Sequence, residues 1–158
     1  MTKLLLILHV LAAIVAVGPV TVVGSMFPAA ARRAAGSPDR NEAVVTVRVL
    51  HRVCRVYAAL GLAVPGLGFA TASELHVLGS PWLITSIALT GAAALVLALL
   101  VLPAQERLLA DLAESAPGTA VVERAQTARL AMLTGAFNLL WATVTVLMIL
   151  RPGSTTGV

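Results

Sequence analysis

Charge is what this sequence has least of. Only 11% of its 158 residues are charged, whereas a water-soluble globular domain carries roughly 25%. Such a chain lacks the polar surface that water demands, which excludes a soluble enzyme. The net charge of +4 would suit a nucleic-acid partner, but the placement of the basic residues, set out below, argues for lipid instead. One cysteine, Cys54, is present, so no internal disulfide forms, and the expected role is that of a small buried residue. No Cys/His cluster has metal-ligand spacing, and no Walker loop, serine nucleophile elbow or zinc-protease motif occurs. Acidic residues are missing from every long apolar stretch, which removes the carboxylate relay used by proton-coupled transporters. That inventory predicts no catalytic residue and no metal site.

What the chain does have is four apolar runs, Leu4–Met26, Tyr57–Ala72, Trp82–Leu102 and Leu130–Leu150. A helix needs about 20 apolar residues to cross the roughly 30 Å of hydrocarbon in a bilayer. Three runs meet that length. The second meets it only if its helix starts earlier, within the basic stretch Arg48 to Arg55. The first run continues past Gly18-Pro19 to Met26, longer than the 7–15 residues or so of a secretory h-region, and is expected to be retained as a span. The predicted fold is all-α: a membrane-embedded four-helix bundle, one domain over residues 1–151, followed by a disordered tail over 152–158.

Orientation follows from the basic residues. Of the eleven, all but Lys3 and Arg151 fall in or beside the connections between runs one and two and between runs three and four. Short loops rich in Lys and Arg stay cytoplasmic, so both termini are predicted outside. The expected setting is a bacterial inner membrane, crossed several times, with membrane lipid as the surrounding partner and no nucleic acid.

Along the chain, helix one is expected from about Lys3 to Met26, with His9, Ala12, Ala13, Ala16 and Val20 on one face and a kink at Pro19. Small residues there permit close helix approach in lipid. A loop is expected from Pro28 to about Glu42, then helix two from near Asn41, kinked at Pro65 and carrying a small-residue stripe of Gly61, Pro65, Gly68 and Ala72. Ser80-Pro81 supplies a cap and a first-turn proline for helix three. Pro103 marks its inner end or a bend, and Gln105 to Ser115 reads as an amphipathic extension with Leu108, Leu109 and Leu112 on its apolar side. Pro117-Gly118 is expected to break it, and helix four to resume near Thr119.

Three sets of residues are candidates for function. Arg48, His51, Arg52 and Arg55 share i, i+3, i+4, i+7 spacing and form a basic stripe. It is suited to anionic headgroups at about 1 kcal/mol per residue, or to an acidic surface such as Asp111 and Glu114 or a partner subunit. His9 is an ionisable residue inside a span and therefore a candidate cofactor ligand, haem foremost; its alternative is a neutral histidine bonded across a helix interface. His51 lies too far away in depth to share one haem with His9, while His76 in the outer loop is closer. Asn138, Thr134 and Thr90 are the intramembrane polar residues, with Thr134, Asn138, Trp141 and Thr145 on one face. They offer either structural hydrogen bonds or the lining of a polar cavity.

The segment Leu8-His9-Val10-Leu11-Ala12-Ala13-Ile14-Val15, followed by Gly18, and the run Gly24-Ser25-Met26-Phe27-Pro28 resemble a group of predicted bacterial integral membrane proteins, those of the domain of unknown function 2269. The four-span plan covers nearly the whole chain and fits them too. More distantly, a histidine followed by small residues and a glycine in the first span is similar to the membrane-bound protoporphyrinogen oxidases and the copper-resistance membrane proteins. In the former, an intramembrane histidine is associated with haem. His9 is the position that carries over. The sequence departs from those families at Ala16-Val17-Gly18, where they tend to place a tryptophan before the glycine.

Three functions are thus expected in order. The first is a non-catalytic accessory or scaffold subunit, self-associating or joining a larger complex through Ala/Gly helix faces. The second is a haem-binding or redox protein using His9, and the third a small transporter or channel lined by Thr90, Thr134 and Asn138. If the arginines set the topology, Arg52→Glu combined with Arg55→Glu will lower correctly inserted protein, read by protease or thiol accessibility of a terminal tag. Unchanged orientation and abundance would remove the electrostatic role of the stripe.

Overall fold

A computed structural model describes residues 2–115 and 122–153. Among these residues the ordered structure is helical: α1 (Thr2–Ala35), α2 (Arg40–Leu60), α3 (Ala63–Glu74), α4 (Pro81–Leu95), a π-helical segment (Val96–Val101), α5 (Leu102–Glu114) and α6 (Arg124–Leu150). Joined end to end, they make four helices long and apolar enough to cross a membrane, Thr2–Ala35, Arg40–Glu74, Pro81–Glu114 and Arg124–Leu150. The all-α four-helix bundle expected from the sequence is the fold observed.

The first helix is longer than expected. α1 runs through Pro28 to Ala35, where a loop had been predicted to begin. A proline removes one backbone donor and crowds the carbonyl four residues back. Here the residue four back is Gly24, and the sequence after Pro28 is mostly alanine, the best helix former. Packing adds the rest: Phe27, Ala31 and Ala34 are completely buried. The turn is consequently short, with Ser37 N–H bonding the Ala34 carbonyl and α2 beginning at Arg40.

Two other prolines break regular winding. Pro65 has no N–H for the Gly61 carbonyl, and Val64 N–H takes that carbonyl instead at 3.1 Å. The result is the interruption at Gly61-Leu62 that separates α2 from α3, one turn before the proline, as a kink there predicts. Ahead of Pro103, the helix relaxes into the π segment, where Leu102 N–H reaches back five residues to the Leu97 carbonyl. Widening the turn in this way absorbs the donor that Pro103 lacks. The predicted helix start at Ser80-Pro81 is also observed, with Ser80 extended and Leu83 and Ile84 N–H groups on its carbonyl. The break at Pro117-Gly118, the start of helix four near Thr119 and the tail beyond Gly153 lie outside the described residues.

α1 is the hub. It packs on α2, α3, α5 and α6, while α4 and the π segment pack on α6, and α5 closes the ring against α2. The seam of α1 is Ala16, Val20, Gly24, Phe27, Ala31 and Ala34, spaced by threes and fours as one helical face requires. Gly24 sits against Thr134 of α6, whose methyl lies 3.2 Å from where a glycine Cβ would stand. The outward faces are apolar as well: Ile14, Leu62, Leu99, Met132, Leu139 and Ile149 are among the exposed side chains, as a lipid-facing surface demands.

The two ends of the bundle differ. At one end, Ala72, Trp82 and Leu83 form a small cluster supported by Val77 and Met148. Arg151 closes α6 there in a left-handed conformation (φ 42°), with its guanidinium 5.7 Å from the Trp82 ring centroid. The other end gathers the arginine-bearing connections. Arg40, a buried arginine, donates from Nη2 to the Leu112 carbonyl, one of the last carbonyls of α5, which have no partner within the helix. A cation suits that terminus, where the helix dipole is negative.

Candidate functional site

The polar side chains fall into two interhelical sites and one buried triad. The first site is His9 on α1. Its Nδ1 lies 3.0 Å from the Val64 carbonyl of α3. A carbonyl only accepts, so Nδ1 carries the proton, and in the neutral ring Nε2 holds the lone pair. Gly68, one turn further along α3, makes room for the ring: a Cβ there would stand 2.9 Å from His9 Cε1. The glycine is needed for this close approach, not for an unusual backbone angle.

The second site joins α1 to α6. Asn138 donates from Nδ2 to Ser25 Oγ at 3.3 Å, and Ser25 passes its own proton to the Thr21 carbonyl at 2.7 Å. Asn138 Oδ1 is buried with no hydrogen-bond partner among the described residues. Thr134 is buried and bonds the Leu130 carbonyl of its own helix. Thr145, expected on the same face, is exposed and turned back to the Trp141 carbonyl. Thr90 is half-buried. Thr134 and Asn138 thus touch α1, and neither they nor Thr90 line the two clefts at the arginine-rich end.

The triad was not anticipated. His51 Nδ1 lies 3.2 Å from Gln105 Oε1, and Gln105 Nε2 points to Cys54 Sγ at 3.8 Å. Gln105 and Cys54 are fully buried and His51 nearly so. The amide oxygen accepts, so His51 is protonated on Nδ1 toward α5, and Cys54 accepts from the amide nitrogen. The basic stripe therefore splits. Val44, Val47, His51 and Cys54 form the buried face of α2, and His51 is turned into it, whereas Arg48, Arg52 and Arg55 stay exposed. Those three make no ion pair with Asp111 or Glu114 in the described residues.

Sequence reasoning missed Gln105 and Arg40. The signal for Gln105 was available: it lies on the same i, i+3, i+7 line as Leu108 and Leu112, and an amide on an apolar face needs a buried partner. For Arg40 no such signal existed. The three histidines are not brought together. His51 precedes Val64, the contact of His9, by enough helix to lie about 20 Å away at 1.5 Å per residue. His76 is exposed in the loop after α3, at φ 57°. Among the described residues no group of three or more His, Cys, Asp or Glu side chains is placed to hold a metal ion.

Apolar exteriors and four membrane-length helices define an integral membrane protein of the four-helix type. Comparison with protein families agrees: the family described as "predicted integral membrane protein (DUF2269)" matches residues 3–152. The chain belongs to that family. No curated protein and no solved structure matches it significantly.

The triad makes a sharp prediction. In Gln105→Leu the volume is kept but His51 Nδ1–H loses its buried acceptor, an expected loss of about 1–3 kcal/mol. Thermal unfolding in detergent should show a lower midpoint, with Glu106→Gln on the exposed side as the neutral control. Equal midpoints for Gln105→Leu and the parent would mean that the triad does not hold α2 to α5.

Proposed function

We propose that this protein is a non-catalytic accessory or scaffold subunit of a bacterial inner membrane, with both termini outside and the arginine-bearing connections in the cytoplasm. One observation carries the reading. Gly18, Gly66, Gly91 and Gly135 are exposed, with nothing within 4 Å of where a Cβ would stand. The glycines used within the fold, Gly24 and Gly68, are by contrast in tight contact. On α6 the bare position is extended by exposed Ala128, Ala131 and Ala142 around Gly135, a small-residue face that lets another helix approach closely in lipid. The polar groups support the same reading, since His9, Ser25, Thr134, Asn138 and Gln105 all bond this chain's own atoms.

Because a Cβ at Gly135 would meet no described residue within 4 Å, Gly135→Leu should leave folding intact while reducing assembly. Cross-linking in native membranes, or photobleaching of single particles in bilayers, would report a shift to smaller species. A parent protein that runs as a lone monomer in native membranes, or an assembly unaffected by Gly135→Leu and Gly91→Leu together, would overturn the proposal.

A second reading, haem binding at His9, is favoured by the tautomer. A ligating imidazole characteristically donates its other N–H to a carbonyl or carboxylate, and the Val64 carbonyl plays that part. From this chain, His9 Nε2 would be the nitrogen that holds the haem iron. The absorbance spectrum of the purified protein decides it: a Soret band abolished in His9→Ala supports the reading, and a colourless preparation from haem-replete cells ends it.

A further inference from the structure

The arginine-rich end carries a second basic feature, unrelated to the α2 stripe and independent of how the chain assembles. Between α5 and α6 lies an open cleft of about 250 Å³ lined by the apolar side chains of Leu99, Leu100, Leu130 and Leu133, the first two exposed, with Arg107 and Arg129 at its rim. Both arginines are exposed, and neither has a hydrogen bond or ion pair to any described residue. Gln126 adds an amide to the rim and Asp111 a single opposing charge, so the rim is net positive. The π segment Val96–Val101 supplies Leu99 and Leu100, which places the widened turn at the wall of the cleft.

The depth of these groups matters. Arg129 directly precedes the α6 apolar run, and Leu133 lies about 6 Å deeper at 1.5 Å per residue. Arg107 and Leu99 are separated by about 12 Å in the same direction. Cations therefore stand at headgroup level over a greasy slot that descends into the hydrocarbon. A free anion would use only the rim, and an acidic soluble segment would leave the slot empty. A two-part ligand, a phosphate with an acyl chain attached, uses both.

We infer that this cleft is a binding site for one anionic phospholipid of the inner leaflet. The phosphate lies between Arg107 and Arg129, and one acyl chain runs along Leu99, Leu100 and Leu133. Basic pockets between transmembrane helices on the cytoplasmic side are suited to such headgroups. Asp111 weakens the site, because its carboxylate repels the phosphate.

The test uses the full chain in nanodiscs of phosphatidylcholine with a minor fraction of phosphatidylglycerol, read by native mass spectrometry after mild release. The parent should retain phosphatidylglycerol above its share of the bilayer. Arg107→Gln with Arg129→Gln should cut that retention by roughly thirtyfold, taking each arginine at its usual worth near anionic lipid. Asp111→Asn should raise it. Ala104→Trp, which fills the cleft and keeps both charges, should abolish it. Arg48→Gln with Arg52→Gln is the control for diffuse surface charge and should retain lipid like the parent. Circular dichroism and gel filtration confirm folding of each variant. Equal loss in the control pair, unchanged retention in the Arg107/Arg129 pair, or displacement by inorganic phosphate alone as effective as by lipid, would each overturn the assignment.

Discussion

Close approach along one face of α1 organises the whole bundle. In hydrocarbon there is no water to expel between helices, so association rests on dispersion and on hydrogen bonds the lipid cannot supply. Both terms fall steeply with distance. In the seam from Ala16 to Ala34, Ala16, Gly24, Ala31 and Ala34 keep side chains small between Val20 and Phe27 where other helices come near, and Gly68 performs the same service on α3 for the ring of His9. Only at such separations can His9 reach a backbone carbonyl, or Asn138 reach Ser25. The polar contacts depend on the small residues, not the reverse.

Polar placement follows a consistent logic from one end to the other. Mid-membrane hydroxyls are spent on the carbonyl one turn back, as for Ser86 and Thr134, so their donors are satisfied without a partner helix. Groups that cannot be satisfied locally, two imidazoles and two amides, are the ones that bridge helices. Nearer the arginine-rich end, where headgroups and water begin, the bridges become more polar, culminating in His51, Gln105 and Cys54 and in the arginine that caps α5.

Much of this was legible in the amino-acid order, for a physical reason. A bilayer imposes length and composition on each span, so four runs predict four helices, and Pro65 and Ser80-Pro81 disclose a break and a start through their own missing donors. The length of α1 was not legible. A proline's local penalty is visible in sequence, but the burial of Phe27, Ala31 and Ala34 that outweighs it belongs to the partner helices. Gln105 showed its oddity on an apolar face without showing its partner, because that depends on which turn of α2 arrives opposite. The carbonyl that receives His9 was invisible altogether, since every residue has one. Of the stripe, its spacing was plain, but the division between an inward histidine and outward arginines rests on some tens of degrees of helix rotation.

The π segment deserves its own mechanical account. Inserting a wide turn adds one residue without adding a full step of regular winding, and one residue of α-helix corresponds to about 100° of rotation. Everything after Val101 is thereby phased relative to everything before it. Ahead of the segment Ser86 and Ala93 are buried, within it Leu97 and Val101, and after it Gln105, Leu108 and Leu112. Excising a single residue within 96–101 would restore ordinary winding and leave the hydrophobicity of the span nearly untouched. It would also swing Gln105 away from His51 and carry Arg107 out of alignment with Arg129. The widened turn acts as a phase adjuster, letting one continuous rod serve two differently oriented neighbours.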